Sequence, residues 1–185
     1  MNEIFKAITE RYSCRNFAST PLSEQQIGAL VDAALAAPSA KNLQPWQIIV
    51  VTDKALIDEV DAEGISVLSQ GIESNPGYEL VMSNGGKMFY GAPCLIVIAL
   101  DNSAHMGRVD CGIVAQNICL TAYSLGLGSL MCGMVRATFN GPRGQEFKER
   151  LKFPPGYEFG VSVLVGTATA SKSPHKPDKS KVTYL

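Results

Sequence analysis

VDCGIVAQNICLTAYSLG, residues 109–126, is the longest apolar stretch of the chain. Its apolar residues recur nearly all round a helix, and Gly126 supplies a stop. A helix of that kind belongs at a centre, of the fold or of an assembly. Asp110, Gln116, Asn117, Thr121 and Ser124 interrupt the stretch too often for a membrane span. On either side lie strand signals. Trp46–Val51 is a continuous apolar run with β-branched residues, predicting a strand covered on both faces, Leu95–Leu100 reads as a second buried strand, and Phe159–Val165 as another strand, ended by Gly166. Ser129–Val135 reads as a further strand.

The helices between them carry their own punctuation. Asn2–Glu10 places Ile4, Phe5 and Ile8 on one face. Ser23-Glu24-Gln25-Gln26 is a capping box opening a helix with Ile27, Leu30, Val31, Ala34 and Leu35 inward, closed by Pro38. Asp53 caps a helix with Leu56, Ile57 and Val60. Gly64 to Gly86 has weak periodicity and two turn-rich clusters, predicting a long irregular excursion that shapes a binding cleft. Pro142 begins a charged amphipathic helix with Phe147 and Leu151. The tail from Thr167 is rich in Lys, Ser and Pro and cannot pack alone. Strands alternating with helices give one domain, residues 1–185, with a sheet sandwiched between helix layers.

Charge and composition narrow the function. Sixteen basic and seventeen acidic side chains leave a net charge of −1, which argues against nucleic acid or an anionic membrane as main partner. Five cysteines with no Cys-x-x-Cys pair exclude ordinary zinc spacing and a disulfide framework, and no metal site is expected. The N-terminus has no apolar signal core, so the expected location is the cytoplasm. With two histidines and no nucleophile elbow, a hydrolase is unsupported. Gly126-Leu127-Gly128 follows a helix, so it is a C-cap and not the phosphate turn of a dinucleotide fold.

What remains is a set of anion-capable and neutral polar groups on separate loops. Arg11, Ser13 and Arg15 share one side of an extended segment, and two guanidinium forks about a hydroxyl suit a phosphate. Ala37-Pro38-Ser39-Ala40-Lys41-Asn42-Leu43-Gln44-Pro45-Trp46 is a loop stiffened by two prolines, carrying neutral hydrogen-bonding groups that suit a heterocycle edge or a polyol. Asn84 and Lys87 flank a flexible pair of glycines. Taken singly, each segment also reads as an ordinary surface turn or helix stop.

Together, Arg-x-Ser-x-Arg-x-Phe at residue 11, Ala-Pro-Ser-x-x-Asn-x-Gln-Pro-Trp at residue 37, Asn84-x-x-Lys87 before Ala92-Pro93, and Gly-Leu-Gly-Ser at residue 126 resemble the nitroreductase family in order and spacing. The resemblance runs from about residue 3 to the C-terminus. It implies an α+β sandwich with a central mixed sheet, a C-terminal tail extending onto a partner subunit, and a homodimer holding FMN in interface clefts. Arg11, Tyr12, Ser13 and Arg15 would meet the phosphate, the ribityl chain and the N1–C2=O edge; Asn84 and Lys87 would meet the pyrimidine edge. Pro38, Ser39 and Asn42 would reach across from the other subunit. The backbone of Met131, Cys132 and Gly133 would lie near N5, and Lys176 in the tail near the phosphate, where many relatives have a basic pair. The implied activity is NAD(P)H oxidation with two-electron, ping-pong reduction of a nitroaromatic, quinone or similar small acceptor, with no side-chain acid or base at the reacting atoms. Alternatives are an enone, a ferric ion or a halogenated aromatic as acceptor, flavin breakdown, a flavin-storing or sensing protein without turnover, and a structural protein without flavin.

Overall fold

The computed structural model describes residues 2–70, 76–83 and 85–185. Helix α1 (Glu3–Glu10) starts at Asn2, whose side chain accepts from the Phe5 amide. Helix α2 (Glu24–Leu35) begins with the expected reciprocal Ser23–Gln26 box. Then come β1 (Trp46–Val51), α3 (Lys54–Ser69) capped by Asp53, α4 (Pro76–Ser83), β2 (Cys94–Asp101) and α5 (Gly107–Ser124). The chain continues through β3 (Gly128–Met131), α6 (Arg136–Asn140), α7 (Gly144–Arg150) and β4 (Tyr157–Gly166). No helix among the described residues is long and apolar enough to cross a membrane.

The four strands form one sheet in the order β1-β2-β4-β3, every pair antiparallel. The α+β class is as expected, but the sheet is not mixed among its strands: the parallel pairing present is the isolated bridge between Ser13 and Ser129. Two separate apolar layers cover the sheet. Cys94, Ile96, Ile98 and Leu100 of β2 pack with α2 and α5, while Leu95 and Val97 face the layer that holds Val60, Phe139 and Phe147. Strand β2 is buried throughout the run from Cys94 to Leu100, as expected of a central strand. Strand β1 lies at the edge, and its Gln47 is exposed with Ile48 to Val50 half-buried, so the run at 46–51 overstated its cover.

Strand β4 contains the sheet's one register shift. Val161 pairs with Ile98 and Phe159 with Ala99, leaving Gly160 as the extra residue of a bulge. The consequence follows from the two-residue period of a strand. Before the bulge Phe159 faces the α6 side; after it Val161, Val163 and Val165 face α5. A Cβ on Gly160 would stand 2.8 Å from the Ile98 carbonyl oxygen and 3.1 Å from Cys111 Sγ.

Two further expectations change. The stretch from Gly64 is not irregular: α3 runs through it to Ser69, and Pro76 opens α4, a position where proline's missing N–H costs nothing. Gly64 is a close-packing site within α3, since a Cβ there would meet Met88 Cε at 2.5 Å and Thr138 Oγ1 at 2.6 Å. Residues 71–75 lie outside the described set. The expected strand 129–135 stops at Met131, and Gly133–Val135 turns into a 3-10 helix.

Replacing Gly160 with alanine should lower stability by about 1–3 kcal/mol, because the new methyl meets backbone that cannot move without opening the sheet. A denaturant midpoint equal to wild type would show that the bulge accommodates a side chain.

Candidate functional site

The α5 helix sets the geometry of the polar loops. Its inward stripe of Asp110, Cys111, Val114, Ala115, Ile118, Cys119 and Ala122 is buried against the sheet and α2, and Asn117 Nδ2 donates to the Ala33 carbonyl at 3.0 Å. At its first turn Asp110 accepts from the Ala40 amide at 3.2 Å, anchoring the loop between Pro38 and Trp46. At its last turn the Tyr123 hydroxyl donates to Glu10 Oε2 at 2.6 Å, next to Arg11. Asp110 and Tyr123 are thirteen residues apart, roughly 20 Å at the helical rise.

At the C-terminal end of α5, the segment after α1 runs beside β3, with the Cys14 amide donating to the Ser129 carbonyl at 2.9 Å. Opposite it, the first residues after β4 come back along the same segment: Ala18 N–H donates to Thr167 O, Thr169 N–H to Asn16 O, and the Tyr12 hydroxyl to Ala170 O at 2.8 Å. Between them is a cleft of about 380 Å³ lined by Arg11, Tyr12, Ser13, Arg15, Lys172, Ser173, Pro174 and His175. Among the described residues neither Arg11 nor Arg15 has a carboxylate at ion-pair distance. Two half-buried arginines, a hydroxyl between them and a lysine opposite give the cleft a positive lining suited to hydrogen-bonding an anion. Lys176 is exposed and does not line this cleft; Lys172 and His175 do.

The loop at the other end of α5 is strained. Lys41, Asn42 and Gln44 have φ of 54°, 53° and 47°, left-handed values that cost non-glycine residues of order 1–3 kcal/mol each. Hydrogen bonds hold it there: Gln44 N–H to Ser39 Oγ at 2.9 Å, Gln44 Nε2 to Asn42 Oδ1 at 3.0 Å, and the Asp110 anchor. Pro38 and Asn42 are exposed on it. None of Pro38, Ser39 or Asn42 lines the arginine cleft of the same chain.

A third group gathers at the other layer of the sheet. Lys87 is exposed on the turn after α4, and the next two residues, Met88 and Phe89, are buried. Asn84 lies outside the described residues. Met131 is exposed, and a Cβ on Gly133 would touch nothing within 4 Å, so the strand end is open on that side. Cys132 between them is buried; its amide donates to the Ser162 carbonyl and its carbonyl accepts from Ser162 Oγ, both at 2.9 Å. Burial pushes the Cys132 thiol up to about 11, so it is a neutral core group, and both Asp61 and Arg15 act on it electrostatically. That shared neighbour brings the Arg15 end of the cleft and the Lys87 turn around one region.

Asp61 and Asp110 are the residues that sequence reasoning missed. Each is an acid on the buried stripe of its helix, Asp61 in register with Ile57, Val60 and Gly64. An acidic residue at an apolar position of a helical repeat is the signal that marks them. Asp61 Oδ1 accepts from the Met88 amide at 2.9 Å. Burial raises its carboxyl from the ordinary 3.8 to about 6, against the opposing pull of the Met88 and Phe89 amides.

Against this geometry, the nitroreductase family model matches residues 8–167. The chain belongs to the nitroreductase family. A crystal structure of a nitroreductase with bound FMN from Desulfitobacterium hafniense is similar over 100% of this chain and 99% of its own, at 48% identity and a TM-score of 0.95. An FMN-dependent nitroreductase from Clostridium difficile superposes with a TM-score of 0.85 at 28% identity, covering 100% of this chain and 99% of that one. The FMN reductase (NAD(P)H) of Bacillus subtilis is 30% identical over 185 residues, 96% of this chain and 70% of that protein. Against a Methanothermobacter thermautotrophicus relative, 30% identical over 136 residues and 71% of this chain, the match spans 61% of the relative's length.

Because the folded pKa of Asp61 is raised, its contribution to stability is present below pH 4 and is lost as pH rises to about 6. Asp61→Asn should therefore gain stability relative to wild type between pH 4 and 6.5, read as the difference in urea midpoints. A difference that stays flat across that range would mean that Asp61 titrates normally.

Proposed function

We propose that this nitroreductase-family chain is an FMN-dependent NAD(P)H oxidoreductase that reduces nitroaromatics, quinones or similar small acceptors by two electrons, acting in the cytoplasm as a homodimer. The observation that carries this reading is the cleft in which Arg11 and Arg15 have no carboxylate partner among the described residues. A phosphate placed there meets two guanidiniums, the Ser13 hydroxyl and Lys172, and an aromatic ring, Tyr12, lines the same wall. Arg11, Ser13 and Arg15 would hold the phosphate, the ribityl chain and the N1–C2=O edge. Lys176 would approach the phosphate from further along the tail. Lys87, with Asn84, would address the pyrimidine edge, where a cation favours the reduced, anionic form over the oxidised one. The backbone of Met131, Cys132 and Gly133 would lie toward N5, with Gly133 leaving room for a ring. Bound there, FMN would supply the hydride chemistry, and these residues would hold it for a ping-pong exchange between NAD(P)H and the acceptor.

The dimer is supported by the separation of the two half-sites and by exposed apolar surface. Pro38, Ser39 and Asn42 are tied to the far end of α5, away from the arginine cleft of their own chain, so a second chain is needed to bring them to it. Ile4, Phe5 and Ile8 of α1 are 71%, 54% and 47% exposed, and Val109 at the other end of α5 is 54% exposed, apolar surfaces that a second copy would cover. The tail beyond Ala170 is exposed in the single chain and would extend onto the partner.

Arg11→Ala should weaken FMN binding more than tenfold, since a lost charge-assisted contact to phosphate costs about 1.5–3 kcal/mol. A fluorescence titration showing unchanged affinity in the folded variant would remove Arg11 from the site. Mixed dimers test the second chain's part. One chain with Arg11→Ala paired with one with Asn42→Ala should keep one intact flavin site and one doubly damaged site. Two equally weakened sites would mean that both residues serve from the same chain.

A further inference from the structure

We propose that Asp61 is a positioning residue for Lys87: its buried carboxylate clamps the turn from Gly85 to Gly91 and fixes the ammonium at the flavin's pyrimidine edge. The inference rests on the FMN reading above. The turn's side chains Met88 and Phe89 are held by the core, but among the described residues its backbone has few ties. Gly85, Gly86, Tyr90 and Gly91 all have positive φ, at 82°, 71°, 54° and 77°, so left-handed pairs bracket Lys87, Met88 and Phe89 on both sides. The Gly86 amide reaches back to Val81 O and the Ala92 amide to Phe89 O, which tie down the two ends. The middle is held by Asp61, 27 residues away on α3, through the Met88 amide at 2.9 Å, with the Phe89 amide also drawn to the carboxylate. Met88 and Phe89 then pack at 0% and 1% exposure, and Lys87 is left to point outward.

A purely structural clamp needs no charge. An asparagine would accept the same hydrogen bond without the cost of burying an anion in an apolar layer. A carboxylate at 5% exposure is therefore a costly choice with a specific gain. Hydrogen bonds to an ionised acceptor are about twice as strong as neutral ones, and the turn needs that strength because glycines loosen both of its ends. The charged and titratable groups whose fields couple to Asp61 are Asp58 on α3, Lys87 on the turn, and Cys132 at the end of β3. Lys87 is the one cation in that set, so the same carboxylate that fixes its backbone also attracts its side chain.

The test is a double-mutant cycle on FMN-loaded protein at pH 8, read as the ratio of Kd for reduced and oxidised FMN. With Asp61 in place, Lys87→Ala should change that ratio against reduced FMN by about tenfold, a fall of about 30 mV in midpoint potential for a two-electron couple. In the Asp61→Asn background the same change should be about threefold, since one neutral hydrogen bond survives, and in Asp61→Ala under about twofold. Should Asp61→Ala not fold, the Asp61→Asn cycle decides alone. In the otherwise wild-type chain, the Lys87→Ala effect should also shrink between pH 8 and pH 5 as Asp61 takes up its proton. An equal Lys87→Ala effect in every background and at both pH values would overturn the positioning role while leaving the FMN reading intact. No effect of Lys87→Ala with Asp61 present would overturn the placement of Lys87 at the flavin, and this inference with it. A chain that binds no FMN would overturn the FMN reading itself.

Discussion

A rigid rod of eighteen residues, α5, pressed along one stripe against the sheet, is the constraint on which the rest depends. Helices do not shorten, so whatever is tied to its two ends stays about 20 Å apart. One end holds the strained loop through Asp110, and the other holds the arginine segment through Tyr123 and the neighbouring β3. The separation of the polar groups into two places is a result of that length. The bulge at Gly160 serves the same arrangement from the strand side, since it turns three consecutive valine positions of β4 toward α5.

Charge is distributed with a comparable logic. The arginines on the α7 side are spent on structure: Arg143 and Arg150 pair with Glu59, Glu63 and Glu146 and lie over the Phe147 ring at 4.9 Å and 5.4 Å. Arg11 and Arg15 have none of these partners. Among the described residues, a chain with nearly balanced charge thus keeps two arginines of one cleft out of its ion pairs. Asp61 is the counterpart on the acidic side, a carboxylate held inside the apolar layer by backbone amides.

Much of the fold was legible because local chemistry and burial agree. The Ser23–Gln26 box, the Asp53 cap, the stop at Gly126 and the buried run at 94–100 each express one residue-level rule that tertiary packing does not override. Close packing leaves a weaker trace in the sequence. Gly64 and Gly160 are glycines for lack of space, and lack of space is a property of what packs against them, Met88 and Thr138 in one case and the Ile98 carbonyl in the other. No local pattern distinguishes such a glycine from a breaker. The arginine cluster and the Pro38–Trp46 loop were readable as chemistry. Their placement at opposite ends of one helix was not, because it depends on contacts 70 and 113 residues apart in sequence.

The latch between residues 12–18 and 167–170 sets an order of events during synthesis. The arginine segment leaves the ribosome early, and Lys172, which closes the cleft, follows 161 residues later. At about 5–20 residues per second, that wait is roughly 10–30 s. For most of that interval the segment lacks both its partner strand β3 and the wall opposite it. The cleft is therefore a late product of folding: it takes shape only once the segment after β4 has paired with residues 12–18.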